Sequence, residues 1–345
     1  MNGFWSLIAA VMSFSITAIL GKYLIPFLKK LKYGQTILED GPSWHKNKQG
    51  TPTMGGIMFI VGIFVTIITC VPLYYFFSKG SIFNMAETPV MSTKVFSGIG
   101  MAIGFGAIGF IDDYIKVVKK RNLGLTAIQK MILQFLVAGA YLFSVYYSQK
   151  SNGAISTTST IIPFVGSVDI GPIYWVLAAL LIVGMTNAVN FTDGIDGLNA
   201  SVTFFAAVFF MVIAGFLGML GISISAAALA GGCLGFLIWN FHPAKVFMGD
   251  TGSLFFGGMV CALAFGINAP IILLLLGIVY ICEICSVVLQ VTYFKATKGK
   301  RLFKMSPIHH HFEMCGWSEV KICSNFSLVE IIAGIIALVV VFFGM

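Results

Sequence analysis

Charge is what this 345-residue sequence has least of: Asp, Glu, Lys and Arg make up 10% of it, against 58% hydrophobic residues. An ordinary soluble domain carries roughly 25% charged and 45–50% apolar residues. Water is therefore excluded as the main solvent of the chain. Cysteine is too sparse and too apolar in setting to make a scaffold: seven residues, an odd number, most within hydrophobic stretches, exclude a disulfide framework. Cys282 and Cys285 form a CxxC one helical turn apart with no second pair, and read as ordinary packing. No HExxH spacing occurs, which removes the usual helix-borne zinc site. Low-complexity tracts and internal repeats are also missing, so residues 1–345 read as a single polytopic domain.

What the sequence does have is long apolar runs. Crossing a bilayer core takes roughly 20 such residues per helix. About ten stretches qualify, near 4–28, 54–77, 94–111, 129–147, 174–190, 199–217, 222–241, 252–268, 270–294 and 326–344. The first lacks a basic segment before it and a small-residue cleavage site after it, and carries Lys22, Lys29, Lys30 and Lys32 at its far end. It is expected to be a retained helix, not a signal peptide. The expected fold is thus an all-α integral membrane protein. Lys and Arg mark the cytoplasmic side. Loops 29–53, 112–128, 242–251 and 295–325 hold sixteen of the twenty-one, while loops 78–93 and 148–173 hold only Lys79 and Lys150. Both termini are accordingly expected outside, with five connections in the cytoplasm. The net charge of +8 is divided among loops lying against an anionic leaflet, which favours membrane lipids over nucleic acid as its partner. Segment 148–173 alternates β-branched and polar residues around Gly166 and predicts a small external hairpin.

The polar residues gather on the cytoplasmic side, at helix ends, where charge is costly unless paired or hydrated. Asp112 and Asp113 close the third stretch in GFIDDYIKVVKKR. Adjacent carboxylates repel and call for a counter-charge, either a divalent cation or the nearby Lys116. A merely solvated helix terminus is disfavoured because acids at a helix C-terminus oppose the macrodipole. NAVNFTDGIDGLNA spaces Asn187, Asn190, Asp193, Asp196 and Asn199 three residues apart, with Gly194 and Gly197 loosening the backbone. WNFHPAKVFMGDTGS brings Asn240, His242, Lys245, Asp250, Thr251 and Ser253, with Gly249 and Gly252 leaving room for a phosphate or metal beside a helix N-terminus. Its Asp-Thr-Gly string also spells the aspartic-protease tripeptide, but that fold is all-β and this context is helical. In PIHHHFE, His309, His310 and His311 are awkwardly placed to share one zinc; phosphate contact or proton donation fits better. HKNKQGTPTMGG, with His45, Lys46, Lys48, Gly55 and Gly56, is a basic loop entering a helix, a weak anion signal on its own. Several Asp, Lys, Asn and His on one membrane-level surface make up the equipment for metal-assisted phosphoryl transfer. A secondary transporter would place its polar residues at the bilayer midplane instead.

TPTMGG, the Asp112 and Asp113 pair, NAVNFTDGIDGL, FMGDTGS and PIHHHFE, in this order, resemble the polyprenyl-phosphate N-acetylhexosamine-1-phosphate transferases across the whole chain, without departure at these positions. TPTMGG together with HHHFE resembles the muramoyl branch. The resemblance implies transfer of phospho-N-acetylmuramoyl-pentapeptide from UDP-N-acetylmuramoyl-pentapeptide to undecaprenyl phosphate in a cell membrane, with Mg²⁺, giving lipid I and UMP. It implies an active site facing the cytoplasm and a homodimer. Carried over, it makes Asp250 the Mg²⁺ ligand and Asp112 and Asp113 catalytic carboxylates near the lipid phosphate. Asn187, Asn190, Asp193 and Asp196 become the nucleoside-side and metal-side cluster, and Asn240 and Phe247 the uracil pocket, with Phe247 stacked on the base. Lys48, Thr53, His309 and His310 become pyrophosphate and sugar contacts, His309 with a catalytic role, and Lys116 and Lys130 phosphate contacts. Transfer of N-acetylglucosamine 1-phosphate is the alternative within the same superfamily.

Overall fold

A computed structural model describes residues 2–30, 48–79, 89–118 and 123–345. Among these residues twelve α-helices and one hairpin follow one another: α1 (Asn2–Lys30), α2 (Gly56–Lys79), α3 (Pro89–Val118), α4 (Ala127–Ser151), β1 (Ser159–Ile162), β2 (Gly166–Asp169), α5 (Ile173–Thr192), α6 (Leu198–Phe216), α7 (Leu220–Asn240), α8 (Gly249–Gly266), α9 (Leu273–Leu276), α10 (Ile278–Ala296), α11 (Ile308–Glu313) and α12 (Glu319–Gly344). Apolar runs become helices because only a helix or a closed barrel satisfies its own backbone hydrogen bonds in lipid.

Among the described residues nine helices, α1 to α7, α10 and α12, are long and apolar enough to cross a membrane. At 1.5 Å per residue they measure about 28–45 Å, against a hydrocarbon core of about 30 Å. The eighth expected span, near 252–268, is present as α8 but does not reach the same apolarity, because its first turn reads Gly-Asp-Thr-Gly-Ser. Every residue from Thr251 to Gly266 is buried. Helices α3 and α5 pack on α8, so protein and not lipid covers it. The ninth expected span, 270–294, is interrupted: a 3₁₀ turn (Pro270–Ile272), then α9, then a fresh start at α10 after Gly277. A Cβ on Gly277 would lie 2.7 Å from the Leu273 carbonyl oxygen and 2.8 Å from Met185 Cε of α5. The bend sits at a close approach that only glycine allows, not at a proline.

The hairpin forms as the alternation predicts, with Ser159 opposite Asp169 and Ile162 opposite Gly166. Ile161 N–H donates to the Asn268 carbonyl just past α8, and Phe164 N–H to the Gly344 carbonyl at the end of α12. The hairpin therefore closes the end of the bundle opposite Asp250, which opens α8, and Glu319, which opens α12. Residue 345 lies at that hairpin end. So does the start of α1, where Ser6 Oγ meets Ser223 Oγ of early α7 at 3.1 Å.

Candidate active site

One missing side chain sets the site. Helices α3 and α8 meet at Gly109, where a Cβ would stand 2.1 Å from the Asp250 carbonyl oxygen. That contact delivers Asp112 and Asp113 of α3 to the first turn of α8. Asp113 caps it: one carboxylate oxygen accepts from the Asp250 N–H at 3.3 Å, the other from the Thr251 N–H at 2.9 Å and the Thr251 hydroxyl at 2.7 Å. An acid at the end of α3 thus lies at the beginning of α8, where the dipole favours it. Asp112 Oδ1 accepts from the Leu125 N–H at 2.7 Å, and its Oδ2 pairs with Lys116 Nζ at 2.6 Å and Lys130 Nζ at 3.3 Å. The same two ammonium groups reach Asp250 Oδ2 at 2.9 and 2.7 Å. Asn190 Nδ2 donates to Asp250 Oδ1 at 2.9 Å and to Ser253 Oγ at 2.7 Å, fixing the carboxylate from the α5 side.

Ligand-capable oxygens of Asp112, Asp113 and Asp250 all lie within 4.8 Å of one another. Asp193, which ends α5, feels the same field. Burial, followed by the negative charges of Asp250, Asp113 and Asp196, pushes its carboxyl well above the usual carboxylate range. Three carboxyls (Asp112, Asp113 and Asp250) thus share two ammonium groups (Lys116 and Lys130), with the Asp193 carboxyl close enough to add to the repulsion. Were the three ionised, one negative charge would stay uncompensated. An all-oxygen donor set with that deficit fits a small hard divalent cation, which takes one or two carboxylates and completes its shell with water and phosphate.

The loop between α5 and α6 links this centre to two further clusters. Asp196 Oδ1 accepts from Lys48 Nζ at 2.7 Å, and the same ammonium reaches Glu319 Oε2 at 2.6 Å. Asp196 Oδ2 accepts from the Ala244 N–H at 2.9 Å and lies 3.2 Å from His242 Nδ1. On the other flank, a Cβ on Gly194 would fall 2.0 Å from His309 Nε2. The His309 and His310 rings are 4.1 Å apart, and His310 Nδ1 contacts Glu313 Oε2 at 2.6 Å.

Most residues singled out in the sequence converge here, but two have inward uses. Asn187 exchanges hydrogen bonds with Gln134 of α4 at 2.7 and 3.3 Å and donates to the Val183 carbonyl. Asn240 accepts from the Gly197 N–H at 3.1 Å and donates to the Val246 carbonyl at 2.9 Å. Both amides brace the backbone that carries the site. Phe247 is half-buried, and its backbone pairs with the loop before α2: its N–H donates to the Pro52 carbonyl and its carbonyl accepts from the Gly55 N–H, each at 2.8 Å. Thr53 Oγ1 would lie 2.7 Å from a Cβ on Gly249, beside Asp113. His45 and Lys46 lie outside the described residues. Cys282 and Cys285, expected to be packed, are free and exposed on α10. Glu319, Glu283 and Gln134 escaped the sequence reading. A glutamate inside an apolar run was the available signal for Glu283, whereas Glu319, one residue after the Ser318 cap, looks like an ordinary acid in a first turn.

The same regions carry the resemblance to known proteins. Residues 95–268 match the model of glycosyl transferase family 4. Residues 48–60 match signature 1 of the phospho-N-acetylmuramoyl-pentapeptide-transferases. A protein of that name from Clostridium perfringens (strain SM101 / Type A) is 46% identical over 330 residues, covering 95% of this chain and 94% of the relative. Those from Halalkalibacterium halodurans and Listeria monocytogenes serotype 4b are each 44% identical over 332 residues, 96% of both chains. The chain belongs to the phospho-N-acetylmuramoyl-pentapeptide-transferase family. In this family member the signature segment has a visible mechanical duty. Its Gly56 abuts Gly252 of α8, where a Cβ would be 2.4 Å from Cα, so the loop bearing Lys48 and Thr53 is seated on the helix that bears Asp250.

Proposed function

We propose that this protein transfers phospho-N-acetylmuramoyl-pentapeptide from its UDP carrier to undecaprenyl phosphate at the cytoplasmic face of a cell membrane, releasing UMP and leaving lipid I. The observation that carries the reading is the junction of α3 and α8, where Asp112, Asp113 and Asp250 surround Lys116 and Lys130 in a chain that belongs to this family. The excess of Lys and Arg in the loops at that end supports the cytoplasmic placement.

The chemistry needs little from a base. A phosphate monoester has a second pKa of about 6, so the lipid phosphate is mostly dianionic at neutral pH. One of its oxygens attacks the phosphorus that bears the sugar and forms the new P–O bond. The bond from that phosphorus to the bridging oxygen breaks, and UMP departs with the oxygen and the electron pair. The difficulty is bringing two polyanions together. Lys116 and Lys130 offset that repulsion at the carboxylate centre, and Lys48 adds a cation on the flank of Asp196. Asp112 Oδ1 is committed to Leu125 and both Asp113 oxygens to α8, whereas Asp112 Oδ2 is paired with the Lys116 and Lys130 ammonium groups beside Asp250. That oxygen positions the nucleophile or takes a residual proton from it. Mg²⁺, held by Asp250 with Asp112 in reach, would neutralise the phosphate oxygens and stabilise the charge of the leaving group.

Release of UMP by purified protein, given undecaprenyl phosphate and each of two donors, tests the substrate. UDP-N-acetylmuramoyl-pentapeptide is expected to be turned over and UDP-N-acetylglucosamine to be inert. The reverse preference would keep the superfamily and remove the muramoyl assignment.

A further inference from the structure

Glu283 stands inside α10 with no exposed surface, in a helix otherwise apolar enough to span a membrane. A carboxylate there is costly unless it is paired. It has one hydrogen-bond partner among the described residues: its Oε2 lies 3.0 Å from Nδ1 of His309, which is likewise fully buried. With Glu283 ionised its oxygen only accepts, so Nδ1 carries the proton, and the other ring nitrogen is turned away from α10. That nitrogen, Nε2, has no partner among the described residues. It presses on the backbone of Gly194, where any Cβ would stand 2.0 Å away. Gly194 follows Asp193, the carboxyl that senses Asp113 and Asp250, and lies two residues before Asp196, the partner of Lys48. The His309 edge that faces Gly194 is therefore chosen by a residue on a different helix, which restarts after the bend at Gly277.

We propose that Glu283 is a positioning residue for the transfer reaction. It fixes the tautomer and ring orientation of His309, so that Nε2 is presented to the phosphate and sugar side of the site between Asp193 and Asp196. The inference rests on the reading of His309 as a contact to the transferred group. Pairing of His310 with Glu313 through Nδ1 repeats the arrangement next door with a carboxylate from the same short helix. The His309 pair instead ties α11 to α10.

Glu283→Gln tests this without removing volume. The amide can donate to Nδ1 and so favours the opposite tautomer. Its kcat is expected to fall on the order of 10- to 100-fold, the range for losing a carboxylate that orients a functional histidine. KM for both substrates and the thermal midpoint should stay unchanged. The double variant Glu283→Gln with His309→Gln should be no slower than His309→Gln alone, because Glu283 acts through that ring. Independently of turnover, nitrogen NMR of histidine-labelled protein, with the His309 signals assigned from His309→Gln, should show Nδ1 protonated in the wild type and unprotonated in Glu283→Gln. Wild-type kcat in Glu283→Gln, multiplying losses in the double variant, or an unchanged His309 tautomer would each overturn the proposal. Failure of the muramoyl donor with the NMR pair intact would instead strike the substrate assignment alone.

Discussion

Asp250→Ala is expected to lower kcat for UMP release by at least about 10³-fold, ~4 kcal/mol of transition-state stabilisation, in protein that still extracts and unfolds like the wild type. The side chain touches only the centre. Its Oδ2 is shared by Lys116 and Lys130 at 2.9 and 2.7 Å, and its Oδ1 by Asn190 at 2.9 Å. Removing it leaves both ammonium groups leaning on Asp112 alone and deletes the acid assigned to hold Mg²⁺. Folding does not depend on it in the same way, because the contact between α3 and α8 runs through Gly109 and the Asp250 backbone. Steady-state rates beside thermal unfolding measure the two separately. A variant retaining a tenth of wild-type kcat would remove Asp250 from the chemistry.

Asp113→Ala should behave differently, failing in both respects. Its carboxylate is buried and accepts three hydrogen bonds from the first turn of α8. Alanine would leave the buried Thr251 N–H and hydroxyl without an acceptor at a helix end enclosed by protein. Orphaning such groups costs about 1–3 kcal/mol each, so a loss of roughly 2–6 kcal/mol is expected, read as a large fall in the thermal midpoint. The displaced helix end would carry Asp250 with it, and kcat should fall by at least about 10³-fold. Asp113→Asn keeps one carbonyl acceptor in place and should recover most of the midpoint. An Asp113→Ala protein as heat-stable as the wild type would show that the cap is dispensable and return Asp113 to a purely chemical role.

The contrast between these neighbours marks where the sequence stops being readable. Apolar runs and the hairpin alternation are local patterns, and they placed helix existence and the end bearing the site. Glycine, aspartate and asparagine spacing likewise picked out the loops that converge, because a membrane tolerates such residues only where they have partners. What no local pattern contains is the pairing between elements. Asp112 and Asp113 look equivalent in a row, yet one faces lysines and the other caps a helix 137 residues further on. Asn187 and Asn240 look like ligands for a substrate, and nothing local shows that they also hydrogen-bond Gln134, Gly197 and Val246. Helix α8 read as a span like the others, and nothing local shows that its neighbours bury it from Thr251 onward. A bend in the ninth span can only be guessed from the sequence, because no proline marks it and the contacts of Gly277, with the Leu273 carbonyl and with Met185 of another helix, are not local patterns.

The most direct measurement is UMP release by the wild-type protein with UDP-N-acetylmuramoyl-pentapeptide and undecaprenyl phosphate, after metal has been stripped with EDTA and again after Mg²⁺ is restored. Release should fall to background on stripping and return with Mg²⁺, in amounts matching lipid I formed. An undiminished rate in the stripped protein would contradict a metal-assisted transfer at the carboxylates of α3 and α8.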